Sequence, residues 1–324
     1  MTILVAGNIV VDLFVSGMER LPHVGGDEYV ASNVTFFPAK PVLTIGGNAG
    51  NAAYALAALG ADVALFGALG DDAFGATARG WLVDRGVDTA ALRSSAAATS
   101  MTVVATDTAL NRVAYHHAGA NDEFVLTDLD VVELRRADVL FVTSYPICAR
   151  LREAGALRDA FASVKARGGV TALDIGPDIG APLRMAEIVD VLPHVDHLLA
   201  NQHELAVFAG SDDVPTGAAR ALAAGVARVI VKGGKHGATL FAPDGAGNGA
   251  VASIDVPGFA VDAKFTVGAG DAFAAGYLHG VIQHWPLKRA IRFGNAVAAL
   301  VVSSGRGVMG CPTLQEAEDL VRNT

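Results

Sequence analysis

The chain has 324 residues, of which 52% are hydrophobic and 18% charged, and it carries a formal net charge of −9. This composition is ample for a sizeable buried core and argues against disorder. It also argues against nucleic acid as the main partner, because no Lys/Arg-rich block occurs, and a phosphorylated ligand would need backbone amides and a few local cations.

The length allows one large domain or two small ones, and no low-complexity linker divides the chain. Cys148 and Cys311 show neither metal nor redox spacing, which points to a reduced, cytoplasmic compartment. The opening MTILVAGNIVVD lacks a basic region and meets Asp12 early, so it does not read as a signal peptide. The longest uncharged stretch, Pro41 to Ala61, has the length of a membrane span. Its glycines and asparagines favour a buried helix entered through a glycine turn, so no membrane partner is expected.

In chain order, Ile3–Ala6 is predicted as a first strand, Asn48–Leu59 as a helix and Val63–Phe66 as a strand. A helix over Ala73–Asp84 stops at Gly86. Strands follow at Val139–Val142, Val170–Asp174, His197–Ala200 and Val229–Lys232, with helices at Arg150–Ala166, Ala181–Val191 and Gly217–Ala224. This alternation predicts an α/β fold with a largely parallel sheet and helices on both faces. Residues 13–45 and 98–118 break the rhythm with strand-like patches at Tyr29–Phe37, Met101–Thr106 and Arg112–His117. They are expected to be β insertions packed together at one edge of the sheet, as lids or dimer surfaces often are.

The most informative stretch is Gly268-Ala269-Gly270-Asp271, just before a helix-compatible run. Small residues there leave backbone N–H groups open at a helix start, where the dipole adds partial positive charge. An aspartate inside an anion site makes sense as a base for a group attacking that anion, which suggests phosphoryl transfer. The competing reading is a plain N-cap aspartate behind turn glycines.

A second cluster, Gly46-Gly47-Asn48-Ala49-Gly50-Asn51, opens a helix with Asn48 and Asn51 on one face. Their amides suit the hydroxyls of a polyol. An N-cap role would explain Asn48 but leaves Asn51 without a reason inside an Ala/Leu helix. Asp12, read as closing the first strand, can hold two sugar hydroxyls or be a solvated turn residue. Asn201 and Glu204, three apart, suit Mg²⁺ through water, although a capping box also accounts for them. Lys232-Gly233-Gly234-Lys235-His236-Gly237 can pass under a nucleotide or simply turn a hairpin. His116-His117 reads as a strand pair rather than a metal site. No P-loop, dinucleotide GxGxxG, HExxH or GxSxG signature occurs.

The pairing of GGNAGNAA near the first helix with TVGAGDAFAAG near the end resembles the ribokinase-like (PfkB-type) carbohydrate kinases, with matching order and separation over nearly the whole chain. The resemblance implies one kinase domain over residues 1–324: a three-layer α/β/α unit with a small β-sheet lid at 13–45 and 98–118. It implies transfer of the γ-phosphoryl of ATP, with Mg²⁺, to a hydroxymethyl group of a sugar or nucleoside. Asp271 then resembles the general base, and Gly268, Ala269 and Gly270 the anion hole. Asp12, Gly46, Gly47, Asn48 and Asn51 fall on the substrate side. Asn201, Lys232, Gly233, Gly234, Gly237 and Asn295 fall on the nucleotide side, with Glu204 near the metal.

One departure stands out: the family commonly reads Asp-Thr-x-Gly-Ala-Gly-Asp, and here Phe265 replaces the first Asp. That puts activation by a monovalent cation such as K⁺ in question. The Gly-Gly-Asn form of the substrate motif disfavours ribose and leaves ketohexose-like or nucleoside substrates open. A lid at a sheet edge invites homodimer formation. A non-catalytic sugar or nucleotide sensor on the same fold is the competing function. A dinucleotide-dependent oxidoreductase is disfavoured by the missing first-turn fingerprint.

Overall fold

Short β-branched and aliphatic runs build the centre of the molecule. The computed structural model describes residues 1–19, 36–109, 111–123, 125–128, 131–152, 155–177, 182–245 and 249–324. Strands β1 (Thr2–Ala6), β4 (Asp62–Gly70), β5 (Leu92–Ser95), β8 (Val139–Val142), β9 (Val170–Asp174), β10 (His197–Asn201), β11 (Val229–Lys232), β12 (Ala238–Pro243) and β13 (Val251–Val256) form one sheet. Its order is β13-β12-β11-β10-β9-β8-β1-β4-β5. The pairs from β11 to β5 are parallel; β12 and β13 add an antiparallel edge.

Alternate residues of these strands enter two separate cores, as a sheet covered on both faces requires. Leu4, Leu140, Leu173, Leu198 and Val229 pack on one side with Phe161 of α4 (Ala156–Lys165), Phe208 of α5 (Gln202–Ala209) and Ala218 of α6 (Val214–Ala223). Ile3, Val5, Phe141, Ala172, Leu199 and Ile230 pack on the other with Leu56 of α1 (Asn48–Ala58), Leu82 of α2 (Ala73–Arg85) and Tyr277 of α7 (Ala269–Ile282). Helix α8 (Leu287–Ser304) lies against α7 where Gly276 and Gly294 meet: a Cβ on Gly276 would sit 2.9 Å from the Gly294 Cα.

The remaining strands form a second sheet. β2 (Val10–Met18), β3 (Val42–Gly46), β6 (Met101–Asp107) and β7 (Arg112–His117) pair in the order β3-β2-β6-β7. This lid has its own small core of Val15, Met18 and Ala105. The insertions therefore pair with one another rather than extending the edge of the main sheet. Of the predicted patch Tyr29–Phe37, residues 29–35 lie outside the described residues, and Phe36 and Phe37 carry no regular structure. His116 and His117 sit in β7 as a strand pair, with His116 Nδ1 3.0 Å from Thr102 Oγ1.

Several expected helices change. The helix expected at Arg150–Ala166 breaks at Gly155, whose φ of 69° is left-handed; a 3₁₀ turn at Ala149–Arg152 precedes α4. The one expected at Ala181–Val191 is a 3₁₀ turn at Met185–Ile188, stopped short between Pro182 and Pro193. α6 starts three residues earlier than expected, because Asp213 caps it by accepting the Thr216 N–H at 3.0 Å.

Candidate active site

The parallel strands end at one rim of the sheet, and the chemistry-bearing residues collect there, as open α/β sheets favour. β1 ends before Gly7-Asn8, β8 before Thr143-Ser144, β9 on Asp174, β10 on Asn201 and β11 on Lys232. Helix α7 begins at this rim. Its N-cap is Gly268, with φ 80° and no side-chain cap, so helix geometry leaves the first N–H groups without intrahelical acceptors. Asp271 is the third helical residue and not the cap, contrary to the capping alternative.

The Asp271 carboxylate turns instead toward α1. Asn48 Nδ2 donates to Oδ1 at 2.9 Å and Asn51 Nδ2 donates to Oδ2 at 2.8 Å. Nor does Asn48 cap α1, since Gly47 holds that position; the Asn48 N–H is instead received by Asn8 Oδ1 at 2.8 Å. Gly47 must be glycine, with φ 76° and a Cβ position 2.6 Å from the Asn8 carbonyl oxygen. Burial pushes the Asp271 carboxyl up to about 7, against the Asn51 hydrogen bond; Asp174 adds to the rise, while Lys232 and Asn48 oppose it.

The network continues through residues that no sequence motif marks. Ser144 Oγ lies 2.5 Å from Asn8 Oδ1 and 2.8 Å from Asn48 Oδ1, with its backbone at φ 61°. A left-handed serine, fully buried at a strand end, is a strained position of the kind that clusters at functional sites. Buried Asn121 clamps the passage from β1 into the lid: its Oδ1 accepts the Ile9 N–H at 3.1 Å and its Nδ2 donates to the Ile9 carbonyl at 2.9 Å.

A second cluster lies beside the start of α7. Lys232 Nζ is 2.6 Å from Asp174 Oδ2 and 3.9 Å from Glu204 Oε2. It is also 3.6 Å from where a Cβ on Gly270 would stand, so the cation borders the open helix terminus. Burial alone would lower the Lys232 pKa, but Asp174 and Glu204 outweigh it and hold the ammonium charged. Burial raises Glu204, against Lys232. Asn201 and Glu204 form the capping box: Asn201 Oδ1 accepts the Glu204 N–H at 2.8 Å, and Glu204 Oε2 accepts the Asn201 N–H at 2.6 Å. Asp174 is a carboxylate at the carboxyl end of a strand, a setting where open α/β sheets gather ligands, and no sequence motif marks it.

No three His, Cys, Asp or Glu residues among the described residues are grouped to hold a metal alone. Asp174 and Glu204 both approach the Lys232 ammonium, and they are carboxylates of the type that suits Mg²⁺ held by one or two carboxylates, waters and substrate phosphates.

The lid adjoins α1, because β3 ends on Gly46 directly before the Gly47 cap. Asp12 lies in lid strand β2, not at the end of β1, because Gly7-Asn8 leave the main sheet before it. It pairs in register with Thr44 and Thr102 and is 7% exposed. Burial pushes its carboxyl up to about 6, against a hydrogen bond with Thr102. A Cβ on Gly46 would sit 2.1 Å from Asp12 Oδ2, so glycine is what leaves the carboxylate its place. Phe265 packs edge-on against Phe14 of β2, ring centroids 4.5 Å apart.

Other expected positions are not drawn into these clusters. Gly233, Gly234 and Gly237 make the β11–β12 turn, the Gly233 N–H donating to the Gly237 carbonyl at 2.7 Å, so the hairpin alternative describes the backbone there. Asn295 of α8 donates to the Val256 and Pro257 carbonyls at 3.1 Å each, tying α8 to the end of β13.

A nine-stranded, mostly parallel α/β sheet with a separate four-stranded lid sheet is the ribokinase-like fold. Residues 27–313 match the model of the pfkB family carbohydrate kinases, and the chain belongs to that family as an ATP-dependent carbohydrate kinase. It is 30% identical over 305 residues, 91% of this chain and 90% of the relative, to an ATP-dependent ribose-1-phosphate kinase of Halopiger xanaduensis. It is 24% identical over 291 residues, 86% and 84% of the two chains, to a 5-dehydro-2-deoxygluconokinase of Clostridium perfringens. The ribokinase of Arabidopsis thaliana, solved with ribose and ATP, superposes with a TM-score of 0.81 at 23% identity over 99% of this chain and 98% of its own. No helix among the described residues is long and apolar enough to cross a membrane.

Proposed function

We propose that this kinase transfers the γ-phosphoryl group of ATP to a hydroxymethyl group of a sugar or nucleoside, with Asp271 as general base. The observation that carries the reading is the clamp on Asp271: both carboxylate oxygens are held by amides at an open helix terminus. Asn48 and Asn51 aim the carboxylate, which takes the proton as the hydroxyl oxygen attacks the γ-phosphorus and the bond to the bridging oxygen breaks, releasing ADP. The first N–H groups of α7 receive the charge that builds on the transferring oxygens. Lys232, beside Gly270, adds a fixed positive charge at that point. Asp174 and Glu204 would hold Mg²⁺ through water, and the metal, when bound, neutralises phosphate charge. Asp12 binds substrate hydroxyls from the lid, which excludes water as it closes.

The lid is also the proposed pairing surface. Val42 and Leu43 on β3 and Tyr115 on β7 leave large apolar side chains exposed on its two edge strands. Sedimentation of the intact chain and of Tyr115→Lys checks this: a dimer that the variant weakens is expected, and a monomer at all concentrations overturns it.

The test of the reaction is ATP turnover across ribose 1-phosphate, ribose, ketohexoses and nucleosides, with the wild type beside Asp271→Asn. The 30% identical relative puts ribose 1-phosphate first in that panel. A general base contributes about 10²–10⁴ in rate, so the variant should lose kcat in that range while keeping its fold. Near-normal turnover of the variant would remove Asp271 from the base role. Saturable sugar binding without turnover in the wild type would favour the sensor.

A further inference from the structure

At the opposite end of the sheet from the Asp271 site, where β8, β9, β10 and β11 begin, the surface opens into a cleft of about 590 Å³. Strands of four to five residues separate the two ends, roughly 15 Å at about 3.3 Å per residue. Arg135, Arg167 and Arg228 line the cleft, with Asp138 the sole carboxylate of the lining. Asp138 accepts the Thr2 N–H at 2.8 Å.

The guanidinium groups are poorly neutralised. Among the described residues, none of the three has a carboxylate within 4.0 Å, and Arg167 donates only to neutral oxygens of Ser163 and Leu134. Three arginines and one carboxylate lining a single cleft is a local excess of positive charge on a chain whose net charge is −9. Like charges held together this way repel unless an anion joins them, and arginine recognises phosphate oxygens through paired N–H donors.

The cleft floor is polar but closed. His197 is buried, and its Nδ1 lies 2.8 Å from the Tyr277 hydroxyl, so the ring is already engaged by the protein. The wall includes Trp285, half-buried under Arg289 with the guanidinium carbon 3.9 Å from the ring centroid. A concave site with a few convergent cations and an apolar wall suits a small molecule rather than an extended polymer.

We infer that this cleft is a second binding site, separate from the catalytic rim, for a small phosphorylated molecule held by Arg135, Arg167 and Arg228. The site also touches the elements that build the active centre. His197 opens β10, which ends on Asn201, and Tyr277 lies on α7, which begins beside Gly268.

Trp285 gives a local readout. The chain has two tryptophans, so Trp81→Phe leaves Trp285 as the sole reporter. The full-length Trp81→Phe protein, with its catalytic site saturated by a non-hydrolysable ATP analogue, is titrated separately with inorganic phosphate, ribose 5-phosphate and AMP, at constant ionic strength. Bare phosphate, sugar phosphate and nucleotide are thereby distinguished as sources of the shared phosphate chemistry. The expected result is a saturable fluorescence change with at least one probe, with a midpoint on the order of 1 mM or tighter. Arg228→Gln should weaken it at least about tenfold, with turnover in the absence of the probe within about twofold of wild type. Arg135→Gln, at an exposed position on α3 (Val131–Arg136), gives the same reading should Arg228→Gln fold poorly. No saturable change with any probe overturns the inference. So does a change that chloride reproduces, or one that both arginine variants retain. Because the readout depends on Arg228 and Arg135, which belong to neither the sugar nor the nucleotide side of the catalytic rim, either outcome is independent of the role assigned to Asp271.

Discussion

Asn51 and Asp271 stand 220 residues apart in sequence, yet the Asn51 amide donates to Asp271 Oδ2 at 2.8 Å. An asparagine that is a poor choice for a helix interior is explained by a carboxylate arriving from the far end of the chain. The bond favours the ionised carboxylate, whereas burial opposes it and leaves the group at about 7.

The pH dependence follows from that balance. A base must be ionised, so kcat/KM for the free enzyme should rise with pH and level off above about 7. Asn51→Leu removes a donor to the charged form, so the Asp271 pKa should rise further and the acid limb should move to higher pH. A charge-assisted hydrogen bond contributes about 1.5–3 kcal/mol, equivalent to about 1–2 pH units. The check is a pH–rate profile of both proteins. A uniform loss of rate with an unmoved limb would mean that Asn51 merely supports the fold.

Lys232 should matter for stability as well as rate. Its ammonium is 13% exposed and the paired Asp174 is 1% exposed, so the bridge is largely desolvated. Removing one partner of a buried pair typically costs about 3–5 kcal/mol because the other charge is left without compensation. Lys232→Met should lose stability of that order in urea unfolding, and Lys232→Met/Asp174→Asn should recover much of it. An unchanged unfolding midpoint in the single variant would show that solvent already compensates Asp174.

Both clusters assemble only when distant segments meet. Apolar runs such as Val139–Val142 and Val170–Asp174 are legible because a strand buried on both faces needs no alternation. The starts of α1 and α7 are legible because glycine and asparagine punctuate helices. Asp174, Asn8 and Ser144 are not, since their roles arise from side chains that meet only after folding: Asp174 with Lys232 58 residues away, Ser144 with Asn8 136 residues away. Asp12 stands in lid strand β2 and not at the end of β1. The turn at Gly7-Asn8 carries the chain into the lid, and local pattern does not reveal which sheet a strand will join.

Gly46 should separate sugar binding from nucleotide binding. Its backbone does not require glycine by φ, but a Cβ would stand 2.1 Å from Asp12 Oδ2. Gly46→Ala should therefore displace the Asp12 carboxylate and leave the start of α7 untouched. The expected result is a KM for the sugar raised about tenfold or more, the range opened by losing one well-placed polar contact, with the KM for ATP unchanged. Equal changes in both constants would place Asp12 outside the sugar site.

Phe265 gives the last prediction. Its ring packs edge-on against Phe14 of the lid at 4.5 Å between centroids, and a Cβ on Gly307 would lie 3.1 Å from it. An aromatic side chain in that setting offers no oxygen to a monovalent cation, and it ties the segment before α7 to the lid by apolar contact. Turnover with the best substrate should therefore change by less than about twofold when K⁺ replaces Na⁺ at constant ionic strength, since a hard cation site is built from oxygen ligands. Phe265→Asp supplies an oxygen but removes an aromatic pair worth about 0.5–1.5 kcal/mol beyond its buried area. That variant should lose stability, and a K⁺ response appearing only in it would assign the missing cation effect to this side chain. Strong K⁺ activation of the wild type would show that other oxygens hold the ion and that the Phe14–Phe265 contact plays no part in excluding it.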